Sequence, residues 1–211
     1  MIETRIMEGE EVELTDLTAK TSLISELPRE KLEELLEVFK AGYGDDWLGD
    51  DLFWNVRLKN ATELLELRSE NRMAAAILFD NLRILQVTVH PDFQGHGLGV
   101  KLLQEAAEVH PEAWISVALD ANAVLATVAD PRLNYLPVED KDKIEELLKN
   151  INGSKGHYQV DAKEVPQTVL SEKFASKGLK KDKFIAFAAK EASTHGQGYY
   201  QILFQNKLSN P

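Results

Sequence analysis

Between residues 29 and 41, Leu32, Leu35, Leu36 and Phe39 recur at spacings of three and four, which predicts an amphipathic helix. Pro28 in front and Gly42 behind are the usual punctuation of such a helix. A turn rich in glycine and aspartate follows over 42–51, where Asp50 is placed to cap a short helix reaching Lys59. Leu64, Leu65 and Leu67 mark a short strand. The apolar runs 73–79 and 82–89, joined by Asp80 and Asn81, predict a tight hairpin. In the second run, alternation puts Leu85, Val87 and Val89 on one face and Gln86 and Thr88 on the other. Helical spacing returns over 98–109 and ends at His110-Pro111. A strand over 114–119 and a helix of small residues over 121–129 come next.

Residues 130–164 are an excursion with a helix of their own at 140–151, and its length leaves a lid or a dimer surface open as roles. A helix over 166–177 and two strands, 184–189 and 199–205, close the chain. The fold class expected is α/β (α+β), a mixed central sheet with antiparallel hairpins early and late, flanked by helices. It is not the steady strand–helix alternation of a doubly wound sheet.

Composition narrows the function. The 211 residues suit a single domain, here 1–211, with a sizeable core. Lys and Arg number 24 against 35 Asp and Glu, and a net charge of −11 argues against a nucleic-acid partner. There are no cysteines, so disulfides, thiolate metal sites and a Cys nucleophile are excluded, and a reducing compartment fits. Residues 1–13 are dotted with glutamates and do not read as a leader, and the longest apolar run, 73–79, is too short to span a bilayer. The expectation is a cytoplasmic protein with no membrane partner. Five histidines without His-Glu-x-x-His spacing make no case for a metal, and no Gly-x-Ser-x-Gly elbow suggests a serine hydrolase.

The chemistry concentrates in Val87-Thr-Val-His-Pro-Asp-Phe-Gln-Gly-His-Gly-Leu-Gly-Val-Lys-Leu-Leu103. A strand ends, a loop crosses over, and Gly95, Gly97 and Gly99 lead into a helix. Backbone without Cβ atoms approaches a ligand closely, and the first amides of a helix have no intrahelical partner. Such a loop binds an anion, a phosphate or pyrophosphate above all. A P-loop would end in Gly-Lys-Ser/Thr, which is absent. A dinucleotide fingerprint would need glycine where Val100 stands, although Asp120 sits about where its ribose-binding acid would be.

Gln94-Gly95-His96-Gly97-Leu98-Gly99 resembles the acyl-CoA pyrophosphate loop of the GNAT acyltransferase superfamily, Arg/Gln-x-x-Gly-x-Gly/Ala. The preceding Val-x-Val-His-Pro-Asp-Phe, the trailing Val-Lys-Leu-Leu and the order of elements around them are similar as well. The resemblance implies a GNAT-like fold and transfer of an acyl group, most often from acetyl-CoA, to a primary amine of a small molecule or peptide, without a metal. It implies that Val87, Thr88 and Val89 face pantetheine and that Gln94, Gly95, His96, Gly97, Leu98 and Gly99 hold the phosphates. It further implies a strand that splays from its neighbour and, by analogy, a homodimer.

The family's general acid is often a tyrosine in a Tyr-x-x-x-Gly-Phe pattern, and Phe174 stands at the matching position here. Tyr200 is one of several tyrosines elsewhere. For the base, Glu66 and His90 are the candidates; Glu66 also reads as part of a solvated strand face, and His90 as the polar filler before a proline. Asp45, Asp46, Asp50 and Asp51, with Trp47, Phe53 and Trp54 nearby, would suit a cationic acceptor, or they are a solvated turn. Two other classes stay open: a CoA-binding module without turnover, and a dinucleotide-dependent oxidoreductase.

Overall fold

The computed structural model describes residues 17–44, 49–118, 121–149, 163–166, 183–189 and 199–207. Its strands are β1 (Thr18–Leu23), β2 (Glu63–Ser69), β3 (Arg72–Asp80), β4 (Arg83–Val89), β5 (Trp114–Ala118), β6 (Tyr135–Pro137), β7 (Lys163–Pro166), β8 (Lys183–Ala189) and β9 (Tyr199–Asn206). They form one sheet in the order β1-β2-β3-β4-β5-β9-β8-β7, with β6 also beside β9. The helices are α1 (Arg29–Tyr43), α2 (Asp50–Leu52), α3 (Leu98–Val109), α4 (Asn122–Val128) and α5 (Lys141–Lys149), and α2 runs straight into a π-helical turn, Phe53–Leu58.

Two apolar layers cover the first half of the sheet. On one face Leu35, Leu36 and Phe39 of α1 and Phe53 of the π turn pack on Leu64, Ala76 and Leu78. On the other, Leu102, Leu103 and Ala106 of α3 pack on Leu65, Leu67, Ile77, Phe79 and Ile84. The third strand is covered on both faces, and every residue from Met73 to Phe79 is buried, which is why this stretch is an unbroken apolar run. The stripe expected for α1 is this packing face.

Among the described pairings only β4 and β5 run parallel. This connection, through α3, is the single crossover of a largely antiparallel α+β sheet, as the pattern predicts, and it leaves no doubly wound frame for the dinucleotide alternative. Part of the excursion is built into the sheet: β6 pairs with β9, and Ile144, Leu147 and Leu148 of α5 pack on Trp114 and Leu203.

Several expectations are corrected. The polar segment β1 gives no strand signal of its own and gains its hydrogen bonds along the edge of β2. Gly49 precedes α2 at its N-cap, so Asp50 is its first helical residue; its carboxylate pairs with Lys40 at 2.9 Å. Pro166 ends β7 opposite Lys183 and does not open a helix, and the rest of the segment predicted as helix at 166–177 lies outside the described residues. No helix among the described residues is long and apolar enough to cross a membrane.

Candidate functional site

The site is built on the end of β4. Near its start, β4 pairs with β5 at Arg83–Trp114 and Ile84–Ile115, and there the parallel pairing stops, while β5 continues along β9 to Ala118. The two strands therefore part, and among the described residues no strand lies beside one edge of residues 85–89 of β4. A bulge decides what that edge carries: Phe79 faces Ile84, but Leu78 faces Gln86, so Leu85 is an extra residue. Before the bulge the Leu82 carbonyl accepts from Trp114 of β5. Beyond it the His90 amide donates to Ala74 of β3, so by alternation Thr88 also turns its backbone to β3 while Val87 and Val89 turn theirs to the open edge.

The same bulge corrects the face assignment of the side chains. Leu85 joins the α1-side cluster, whereas Val87 and Val89 pack on the α3 side. Simple alternation puts all three together, and it fails because a bulge shifts the count by one. Thr88 is buried under α1: a Cβ on Gly42 would come within 2.0 Å of its Oγ1 and 3.2 Å of the Val89 carbonyl oxygen. Helix α1 thus needs glycine at position 42 to lie this close to the end of β4.

The loop after β4 is pinned at three points. His90 Nδ1 accepts the Asp92 amide at 3.2 Å, capping the single helical turn Pro91–Phe93. Phe93 is buried, with the Arg72 guanidinium 5.1 Å above its ring, and Arg72 pairs with Asp92 at 2.6 Å. The Gln94 side chain reaches back to donate to the Val89 carbonyl at 3.1 Å. That leaves the Val87 amide and carbonyl and the Val89 amide as the polar groups of the open edge.

Past these anchors the backbone turns left-handed at Gly95 (φ 83°) and Gly97 (φ 76°), and a Cβ at either would meet nothing within 4 Å. Both glycines border open space, as expected of backbone that faces a ligand. Among the described residues the amides of Gly95, His96 and Gly97 donate to no carbonyl, while the Gly97 carbonyl accepts from Val100 and Lys101 at 3.1 Å each, starting α3. Gly99 has a different reason: its Cβ would sit 3.2 Å from Thr127 Cγ2, so it lets α3 and α4 approach. Leu98 is buried in the core and can offer only its amide, and the His96 side chain is exposed.

The acetyltransferase (GNAT) family model matches residues 29–126, the segment running from α1 through β4, the glycine loop and α3 into α4. By this match the segment is similar to the acetyltransferase (GNAT) family. The chain is similar to the ribosomal-protein-S18-alanine N-acetyltransferase of Escherichia coli, with a TM-score of 0.45 and 14% identity, covering 92% of this chain and 97% of that one. It is similar also to apo YjaB of Escherichia coli, with a TM-score of 0.43 and 13% identity over 90% and 97% of the two chains. A third structure, yncA of Salmonella typhimurium with its cofactor acetyl-CoA, gives a TM-score of 0.37 and 15% identity over 93% and 96%. No curated protein matches the sequence.

The two candidate bases are both engaged elsewhere. Glu66 is 1% exposed, so it is not part of a solvated strand face. It lies under α1 in an ion cluster: its carboxylate takes Lys31 and, at 3.0 Å, Arg68, which also grips Glu34 at 2.9 Å. The register Glu66–Ala76–Thr88 puts it two strands away from β4. His90 holds the loop. Tyr200 pairs through its backbone with Ala188 of β8, and nothing of its side chain is described. Phe174, Asp120, Asp45, Asp46 and Trp47 lie outside the described residues. Among those that are described, no group of three or more His, Asp or Glu is placed to hold a metal ion.

Three residues beside the open edge escaped the sequence reading. Tyr43, at the end of α1, is hydrogen-bonded to the Gln86 side chain of β4 and feels the positive charge of Arg57 on the π turn. Burial holds its phenol above the ordinary 10.0, against the opposing pull of Arg57 and Gln86. A tyrosine one residue after the glycine that ends the α1 stripe was the available signal. Gln86 and Arg57 had none, since each is one polar residue in an amphipathic segment.

Proposed function

We propose that this protein is an N-acetyltransferase that moves the acetyl group of acetyl-CoA to a primary amine by direct attack on the thioester. The observation that carries the reading is the open edge of β4, freed by the splay from β5, re-aimed by the Leu85 bulge and followed at once by a left-handed glycine loop opening α3. Pantetheine fits such an edge as an added strand, hydrogen-bonded to Val87 and Val89. The free amides of Gly95 to Gly97 and the first amides of α3 suit the pyrophosphate.

In the reaction a neutral amine forms a C–N bond to the thioester carbon, and the carbonyl oxygen takes the developing negative charge. The Val87 amide is the donor available for that oxygen. The tetrahedral intermediate then expels CoA as thiolate, and the amine's proton leaves the nitrogen as a proton is gained at sulfur, giving amide and free thiol. Holding the two reactants at one strand edge supplies proximity, which alone is worth several kcal/mol (about 7 or more in well-oriented systems).

The engagement of Glu66 and His90 in the ion cluster and the loop favours a second reading, a CoA-binding module without turnover. The acidic, cysteine-free composition supports a cytoplasmic location for either. A thermal-shift titration with acetyl-CoA, free CoA and NADH, followed by thiol release with an amine panel, tests both. Stabilisation by acetyl-CoA but not NADH, with thiol release, is the expected result. Stabilisation without release from any amine would select the silent module, and no stabilisation by either CoA species would sink both.

A further inference from the structure

Two buried polar atoms on the α1 side of β4 have no hydrogen-bond partner: Nε of Arg57, a donor, and Oε1 of Gln86, an acceptor. They flank one packed cluster: Phe53 and Leu58 on the turn that carries Arg57, Tyr43 of α1, and Leu85, the chain neighbour of Gln86, pack together, and the Gln86 side chain hydrogen-bonds the Tyr43 phenol. Buried polar atoms are nearly always satisfied, and each orphan costs about 1–3 kcal/mol, so a pair of opposite kind in one place needs an explanation.

The Arg57 guanidinium sharpens the case. Arg29, Arg68, Arg72 and Arg132 each face a carboxylate. Arg57 is half-buried, and among the described residues no carboxylate pairs with it, in a chain whose net charge is −11. It is carried on the π-helical turn Phe53–Leu58, whose neighbours Phe53 and Leu58 are buried and fix the turn on α1. π turns are uncommon and cluster at functional sites. Gln86 lies next to Val87 in the chain, so its Cα is about 3.8 Å from that of the residue whose amide faces the open edge.

We infer that Arg57, Gln86 and Tyr43 form the acceptor subsite and that it takes an amine bearing a carboxylate, an amino acid in the simplest case. The inference rests on the acetyltransferase reading for the donor side of the site. The carboxylate answers the unpaired guanidinium, which presents its donors in a fork matched to two carboxylate oxygens. The amine donates to Gln86 Oε1 and is thereby held beside the thioester edge, next to Tyr43. This reverses the charge expected from the aspartate-rich turn, whose Asp50 is already neutralised by Lys40 at 2.9 Å.

The test uses the full-length protein saturated with free CoA and four probe pairs: L-alanine, L-methionine, L-phenylalanine and L-glutamate, each against its α-carboxamide. Thermal shift reads binding, and thiol release with acetyl-CoA reads transfer. At least one free acid should bind and react tenfold or more better than its amide. Arg57→Gln should erase that preference while leaving the shift given by acetyl-CoA intact, and Arg57→Lys should restore part of it. Gln86→Met, close in shape, should weaken acid and amide alike. Equal response to acids and amides, no response to any acid, or a preference that survives Arg57→Gln would overturn the subsite. A response to acetyl-CoA without one to the acids would sink the subsite alone, whereas binding of the acids without a response to acetyl-CoA would sink the transferase reading and keep the subsite.

Discussion

Replacing Gly97 by glutamate separates the binding role of the loop from its role in starting α3. At φ 76° and ψ 11°, with nothing within 4 Å of its Cβ position, Gly97 can accept a side chain sterically, and the penalty is that of the left-handed backbone. That penalty is about 1 kcal/mol, which for a chain of this size lowers Tm by about 2–4 °C. The Gly97 carbonyl still accepts from Val100 and Lys101, so the helix start persists. Binding should suffer far more, because a carboxylate would stand where the free loop amides invite phosphate. Acetyl-CoA at 100 times its Kd stabilises the native state by about 2.7 kcal/mol, a rise in Tm of about 5–11 °C. A hundredfold loss of affinity leaves about 0.4 kcal/mol at the same concentration, a rise of about 1 °C. Differential scanning fluorimetry of both proteins with and without acetyl-CoA distinguishes these outcomes. A variant that still gains 5 °C would refute the assignment of the loop, and one that fails to fold would refute the claim that Gly97 borders open space.

Three more perturbations probe the frame around the site. Gly42→Ala would drive a methyl group to 2.0 Å from Thr88 Oγ1 and shift the end of β4, so kcat/KM should fall about ten- to a hundredfold, and Thr88→Ala in the same protein should recover part of it. Glu66→Gln breaks a buried ion pair whose cations are only 18% and 21% exposed but keep Glu34. Stability measured by urea denaturation at neutral pH should therefore drop by about 2–3 kcal/mol, with kcat of the folded protein retained; lost turnover at unchanged stability would make Glu66 the base after all. For Glu34, burial raises the carboxyl pKa, but Arg68 and Lys31 outweigh it and hold the group below its ordinary 4.5. Its contribution is thus fully present above about pH 4.5 and lost as pH falls through the lower folded value. The stability gap between wild type and Glu34→Gln should be constant near neutrality and shrink in acid, and a gap unchanged from pH 7 to 3.5 would rule this out.

Sequence periodicity alone placed α1, α3 and the β3–β4 hairpin, because each buries one long, regularly spaced apolar face or run. The glycine loop was legible for a related reason: left-handed backbone beside open space leaves its mark in the residue type itself. The strands β1, β6 and β7 were not legible, since short or polar segments acquire their order from a partner's hydrogen bonds.

Where the site residues point was decided only by the tertiary structure. The bulge at Leu85 is a property of the pairing between β3 and β4, and it alone turns Val87 and Val89 to the open edge and Leu85 to the opposite face. Glu66 is buried because Lys31 comes from a helix 35 positions earlier and Arg68 lies on its own strand. The meeting of Tyr43, Arg57 and Gln86 needs a helix end, a π turn and a bulged strand to converge. A one-dimensional pattern records which residues avoid water. It does not record which distant charge or hydrogen-bond partner each polar residue finds, because that partner comes from elsewhere in the chain.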